Sequence, residues 1–209
     1  KIPPSVSFEE AAAFSLVFQT AWRMLKTRSA IQSGDTVFIH GIGGGVSSAA
    51  LQIVKLLGGC AFVSSSSDAK LAQAKAMGAD YCYNCEQPDV VREVLRETEK
   101  RGVDVVVDNV GEVTWLQSLQ MVRRGGKIVT CGATTGPNPK TEIRAIFWKQ
   151  IDILGSTMGN RSEYSELVQL LGKGRLKPII DRVFPLGEGK QAMEYLQCQK
   201  QFGKVLLVS

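Results

Sequence analysis

Residues 36–59 read TVFIHGIGGGVSSAALQIVKLLGG, and the fold turns on them. Thr36-Val37-Phe38-Ile39-His40 is an unbroken β-branched and aromatic run, the pattern of a strand covered on both faces. Glycines follow, then Ser47 to Leu57 recurs at helical period and closes on Gly58-Gly59. A strand that turns tightly into a helix leaves the first helical N–H groups free, with the positive end of the helix dipole facing outward. Glycine at this turn lets a phosphate approach a backbone that any Cβ would hold away. A glycine cluster alone marks only a turn. Between a first strand and its helix it predicts a pyrophosphate cradle, with Gly44, Gly45 and Val46 as binding residues. Where the fingerprint ends in a glycine this chain has Ser47, which predicts a slightly wider gap between helix and strand.

The strand-then-helix alternation continues on the C-terminal side. Strands are predicted at 60–63, 81–83, 103–107, 127–131 and 151–154, and helices at 68–77, from Pro88 to about Lys100, at 113–122, 141–150 and 162–171. Parallel strands joined by helical crossovers make a doubly wound α/β domain. Upstream, Ser7-Phe8-Glu9-Glu10 is a capping box that opens an apolar helix running to near Ser33. Downstream, Val183-Phe184-Pro185, a helix at 189–197 and Phe202 to Val208 hold too few strands to close a sheet of their own.

Composition narrows the function classes. The chain has 209 residues, 25 Lys plus Arg against 20 Asp plus Glu, one His, five Cys and 21 Gly. No apolar run reaches the ~18–20 residues of a membrane span. Lys1 leads into Pro3-Pro4 and an acidic helix start, which predicts no apolar leader. An odd, sparse cysteine count excludes a disulfide framework and points to a reducing cytoplasm. Basic residues are dispersed, with Lys100-Arg101 and Arg123-Arg124 the only adjacent pairs, so a nucleic-acid stripe is not expected. Cys82-x-x-Cys85 lacks a second ligand pair and reads as incidental thiols, and His40 as a structural histidine with its polar atoms satisfied. Trp22, Trp115 and Trp148 fall on apolar helix faces, as core or interface residues.

The end of the second strand selects the dinucleotide. An NAD site places Asp or Glu there for the ribose 2′-OH. This chain has Val63-Ser64-Ser65-Ser66-Ser67, with no acid before Asp68. Ser65 and Ser66 can donate to a 2′-phosphate that a carboxylate would repel, and Lys70 adds charge. NADP is therefore expected over NAD, with Ser65→Asp predicted to reverse the preference. One serine, Ser67, is also placed to cap the following helix. The missing acid argues equally against a methyltransferase.

At this point the chain resembles the medium-chain dehydrogenase/reductases. Gly34-Asp35-Thr36-Val37, Gly44-Gly45-Val46, Lys70 with Gly78-Ala79-Asp80, and Asp108-Asn109-Val110-Gly111 carry the resemblance in order. Gly126-Lys127-Ile128-Val129, Ile153 to Met158 and Gly203-Lys204-Val205-Leu206 extend it over essentially the whole chain. The quinone oxidoreductase and zinc-type alcohol dehydrogenase-like branch is most similar. The resemblance implies a six-stranded parallel Rossmann-type sheet and an oxidoreductase moving hydride between a nicotinamide and a carbonyl, quinone, enone or alcohol. It further implies that Thr20 lies near the nicotinamide, and Asn109 and Val110 near the riboses. Gly132, Ala133 and Thr134, with Ser156 and Met158, would hold the carboxamide, and Lys204 would face the pyrophosphate. It implies a homodimer through the strand at 151–154.

The chain departs from that pattern in three places. Where zinc-dependent relatives carry a metal ligand, Phe14 to Gln19 offers no Cys, His, Asp or Glu, so no zinc is expected in this chain. After Asn84 come Cys85 and Glu86 in place of an aromatic and a basic residue. The resemblance implies an N-terminal catalytic domain ahead of the segment that begins at Lys1, and that domain is not expected among these 209 residues. The expected organisation is a connecting helix at 1–34, the cofactor domain at 35–175, and a segment at 176–209 that would complete the catalytic domain. That would leave Phe184 and Val205 to Val208 as exposed apolar surface. A non-catalytic nucleotide-sensing module, and a zinc alcohol dehydrogenase with its ligands elsewhere, are the alternatives.

Overall fold

Six strands form one parallel sheet: β1 (Thr36–Ile39), β2 (Cys60–Ser65), β3 (Tyr81–Asn84), β4 (Val103–Asp108), β5 (Val122–Thr130) and β6 (Asp152–Gly155). The computed structural model describes residues 1–87 and 89–209, so the helix start expected at Pro88 lies outside the described residues. Strand order is β3-β2-β1-β4-β5-β6. This is the doubly wound Rossmann arrangement, in which the chain works outward from β1 in one direction and then from β4 in the other. Ile39 pairs with Val63 on one side and Val107 on the other, so the reversal falls between β1 and β4.

Helices cover both faces, which explains the unbroken apolar strands. Val37 and Ile39 of β1 point into one core with α1 (Phe8–Trp22), α2 (Gly45–Leu56), α3 (Asp68–Ala76) and α7 (Arg161–Gly172). Phe38 points into the other, with α4 (Val90–Glu97), α5 (Trp115–Met121) and α6 (Ile143–Lys149). The Ser7/Glu10 capping box opens α1, and Ser67 caps α3 through the Lys70 N–H.

Several boundaries differ from expectation. The first helix does not run on to Ser33. It ends at Trp22 and widens into a π-helical turn at Arg23–Arg28, which buries Met24 and Leu25. Helix α5 stops at Met121 rather than Val122, and β5 begins five residues early because Val122 pairs with Val103 at the foot of β4. The sixth strand is shifted one residue, to Asp152–Gly155.

At the C-terminus, β7 (Ile180–Pro185) and β8 (Lys204–Val208) pair in parallel as a separate ribbon, with α8 (Gly189–Gln197) between them in sequence. The expected exposure of this ribbon is corrected in part. Phe184 is only 8% exposed and packs near Tyr195, and Leu206 is buried, whereas Leu207 is open to solvent. Trp22 is core, but Trp148 is 65% exposed and so is no core residue.

Candidate dinucleotide-binding site

The loop from His40 to Gly44 leaves β1 at the switch point. Gly41 and Gly43 take positive φ (64° and 111°), conformations that side-chain-bearing residues rarely adopt. The Ile42 N–H donates to the Ser64 carbonyl at 2.7 Å, which ties the turn to the end of β2. Gly44 is the N-cap of α2 and has no side chain to cap it, so the first-turn donors of the helix have no side-chain acceptor and could serve an anion.

Two lysines flank these donors. A Cβ on Gly43 would fall 2.7 Å from Lys70 Cδ, and a Cβ on Gly45 would fall 2.9 Å from both Lys204 Cδ and Val17 Cγ1. The missing side chains therefore make room for two aliphatic stems that carry ammonium groups. The C-terminal segment delivers one of them: the Gly203 N–H donates to the Gly43 carbonyl at 2.8 Å, and Lys204 opens β8. Lys70 Nζ meanwhile donates to the Gln199 carbonyl at 2.6 Å. Burial lowers the Lys70 pKa, and the Asp181 charge opposes that shift.

Ser47 replaces the last fingerprint glycine without leaving a polar orphan. It is buried, and its hydroxyl donates to the His40 carbonyl at 2.9 Å and towards Asn109 Oδ1 at 3.4 Å.

Across the crevice, Asp108 organises the second wall. Its buried carboxylate accepts from the Val110 and Gly111 N–H groups, both at 3.0 Å, and from Thr114 and Ser118. His40 Nε2 meets the same Ser118 hydroxyl at 3.0 Å, so a buried chain links the end of β1 to the end of β4. Burial pushes the His40 pKa down to about 4, against the opposing charge of Asp108. The imidazole is therefore neutral at pH 7, which fits a structural role. The motif Asp108-Asn109-Val110-Gly111 does not itself mark this bonding role, which depends on Thr114 and Ser118 of the following segment.

The remaining expected residues fall into two groups. Gly111 lies so close to the 132–136 loop that an added Cβ would sit 2.9 Å from Ala133 Cα, and the Thr135 N–H donates to the Val110 carbonyl. This brings Asn109 and Val110 together with Gly132, Ala133 and Thr134. The Ser156 N–H donates to the Thr130 carbonyl at 2.8 Å, while its buried Oγ has no partner among the described residues. Met158 is exposed at a positive φ of 47°. Gln19 Nε2 donates to the Asn160 carbonyl, which sets this loop beside the end of α1, where Thr20 is buried and donates to Leu16.

At the end of β2 the serines separate. Ser65 is buried, and its Oγ accepts from the Ser67 N–H at 3.2 Å. Ser66 is exposed, so a carboxylate there, and not at Ser65, would stand at the surface beside a bound ribose. A charge introduced at 65 would be buried, and its effect on folding would obscure its effect on the ligand.

An unpartnered buried hydroxyl, an uncapped helix start and two flanking lysines fit a dinucleotide. The same test fails for a metal: among the described residues no three His, Cys, Asp or Glu side chains stand together to hold one. Nor is any described helix long and apolar enough to cross a membrane.

The family model described as zinc-binding dehydrogenase matches residues 45–173, more than half of the chain. This chain belongs to the zinc-binding dehydrogenase family. It is the cofactor-binding part of a medium-chain dehydrogenase/reductase, as the ordered motifs imply. A curated relative, the zinc-type alcohol dehydrogenase-like protein YogA of Leptosphaeria maculans, is 32% identical over 99% of this chain, which spans 60% of the relative's length. A solved NAD-dependent alcohol dehydrogenase is 38% identical with a TM-score of 0.94, over 99% of this chain and 61% of its own. The 2-octenoyl-CoA carboxylase reductase CinF, solved with NADP and 2-octenoyl-CoA, is 32% identical with a TM-score of 0.88, over 99% of this chain and 51% of its own. This zinc-binding dehydrogenase chain therefore shares its fold with proteins of both cofactor types, and holds no metal-ligand cluster among its described residues.

Proposed function

We propose that the chain is the NADP(H)-binding part of an oxidoreductase that transfers hydride between a nicotinamide and a quinone, enone, aldehyde or alcohol. The observation that carries this reading is the uncapped start of α2, with Lys70 and Lys204 laid over Gly43 and Gly45. In this reading the α2 N–H groups and Lys204 hold the pyrophosphate, and Ser66 and Lys70 take the 2′-phosphate. The Asp108-anchored turn sets Asn109 and Val110 against the riboses. The 132–134 loop, Ser156, Met158 and Thr20 then orient the ring. When bound, the nicotinamide supplies or accepts the hydride, and the protein supplies position and a dry setting. Residues 1–34 connect, 35–175 bind the cofactor and 176–209 complete a catalytic domain, so the chain alone binds cofactor with little turnover.

Ser66→Asp tests the cofactor choice. A carboxylate repels a 2′-phosphate and accepts from a 2′-OH, so the NADPH-to-NADH affinity ratio is expected to fall by about tenfold or more. An unchanged ratio in paired titrations contradicts the assignment of Ser66.

The outer edge of β6 also supports a homodimer. Asp152 and Ile153 are exposed on a strand whose outer edge has no partner among the described residues, and Ile143, Phe147 and Trp148 of α6 are exposed close by in sequence. Sedimentation velocity is expected to show a dimer that Ile153→Lys dissociates. A wild-type monomer at tens of micromolar, a concentration at which interfaces of standard size persist, would overturn this.

A further inference from the structure

The only two adjacent basic pairs in the sequence meet in the fold. Lys100, Arg101, Arg123 and Arg124 line one hollow of about 510 Å³. It sits at the amino ends of β4 and β5, and so at the opposite end of the parallel sheet from the glycine loop. The Val103–Val122 pair sets the two segments side by side. Gly102 keeps them close: at φ +84°, a Cβ there would fall 2.5 Å from the Met121 carbonyl oxygen.

Two of the arginines, Arg101 and Arg123, are held in place before any ligand arrives. Asp104 takes Arg101 through two N–H···O bonds of 2.8 and 2.9 Å and Arg123 Nε at 2.6 Å, and the other Arg123 nitrogen in use, Nη1, donates to the Arg124 carbonyl. Four cations thus stand against one carboxylate that is largely buried behind them. Asp35 adds some attraction for Arg101, and Glu99 is exposed next in sequence, but neither lines the hollow. Arg101 Nε, Arg123 Nη2, the Arg124 guanidinium and Lys100 Nζ have no bonded partner among the described residues.

We infer that this hollow is a second anion site, built for the phosphoryl group of a small phosphorylated molecule. A carboxylate offers two acceptor oxygens, whereas a phosphoryl group offers three and up to two negative charges, which suits unspent donors on four side chains. The shallow hollow fits a compact ligand better than a nucleic-acid backbone, which needs a longer basic stripe. The inference is independent of the dinucleotide reading, because it uses none of the same residues.

Titrating inorganic phosphate and then pyrophosphate into the ¹⁵N-labelled chain reads both ends of the sheet at once. Saturable shifts are expected at the Gly102, Arg124 and Gly125 amides, with acetate giving none at equal concentration. The double variant Lys100→Glu/Arg124→Glu leaves the Asp104 contacts in place, so its melting temperature is expected to hold while phosphate affinity falls about tenfold or more. Shifts confined to Gly44, Gly45 and Val46 would overturn the site, as would equal affinity in the double variant or an equal response to acetate. Saturation by a single-stranded oligonucleotide without a response to pyrophosphate would overturn it too, in favour of a nucleic-acid surface.

Discussion

Replacing Gly45 with valine is expected to weaken NADPH binding by about 100-fold, equivalent to about 2.7 kcal/mol. Two physical effects act together. The new side chain stands at the first residue of α2, beside the free N–H groups, where it holds a pyrophosphate off the backbone. Its Cβ would also lie 2.9 Å from Val17 of α1 and 2.9 Å from the Lys204 stem, so the packing of α1 on α2 must give. Overpacking of this kind costs about 1–3 kcal/mol, a fall of about 2–12 °C in melting temperature for a chain of this size. Gly44→Ala separates the two effects. The added methyl group would meet only the Gly41 carbonyl oxygen at 3.6 Å and Ser47 Oγ at 3.8 Å, ordinary contacts at an ordinary φ. Its melting temperature is therefore expected to match the parent, and any loss of affinity reports the ligand alone. Parent-like NADPH affinity in Gly45→Val would contradict the placing of the pyrophosphate.

The second large effect concerns stability. Asp104→Ala is expected to cost about 2–3 kcal/mol, because it strips the half-buried Thr36 N–H of its acceptor and leaves two arginines without their shared counter-ion. The upper end of the range for buried ion pairs does not apply, since Arg101 and Arg123 keep much of their contact with water. A fall of about 4–12 °C in melting temperature follows at this chain length. The pH dependence has a definite sign. Burial raises the Asp104 pKa, but hydrogen bonds from Arg101, Thr36 and Arg123 outweigh it and hold the carboxyl well below the usual range. Its contribution is complete above the unfolded value of ~3.9 and is lost as pH falls through the folded one. His40 acts earlier on the same limb: the unfolded chain takes its proton first, so stability declines from ~6.5 down to about 4. Denaturant melts should show the parent weakening in two stages on acidification, and Asp104→Ala losing only the lower one. A variant that melts like the parent at pH 7 would contradict the bridging role of Asp104.

Much of the sheet was legible because its signals are local. β1, the glycine turn and α2 announce themselves through a switch from an unbroken apolar run to helical period. The ends of elements were less legible where a tertiary contact decides them. Val122 reads as the last apolar residue of a helix, yet its pairing with Val103 makes it a strand, and Arg123-Arg124-Gly125-Gly126 gives no strand signal beforehand. Met24 and Leu25 continue the apolar pattern of α1, so nothing in the sequence marks the widening into a π-helical turn. Phe184 is apolar whether buried or bare, and its burial beside Tyr195 depends on how β7 meets α8.

The site divides in the same way. The glycine turn and the uncapped start of α2 at Gly44 and Gly45 follow from spacing alone. The approach of the C-terminal segment to this turn does not, since the Gly203–Gly43 and Lys70–Gln199 bonds join parts of the chain far apart in sequence. Nor does composition distinguish Ser65 from Ser66, because the end of β2 at Ser65 and the Ser67 N–H decide which hydroxyl reaches solvent.

Calorimetric titration of the chain with NADPH and with NADH at pH 7 reads dinucleotide binding without the rest of an enzyme. One saturable site per chain is expected for NADPH, a weaker one for NADH, and both weakened about 100-fold in Gly45→Val. Binding of neither dinucleotide at millimolar concentration, by a chain that melts cooperatively, would contradict the dinucleotide site.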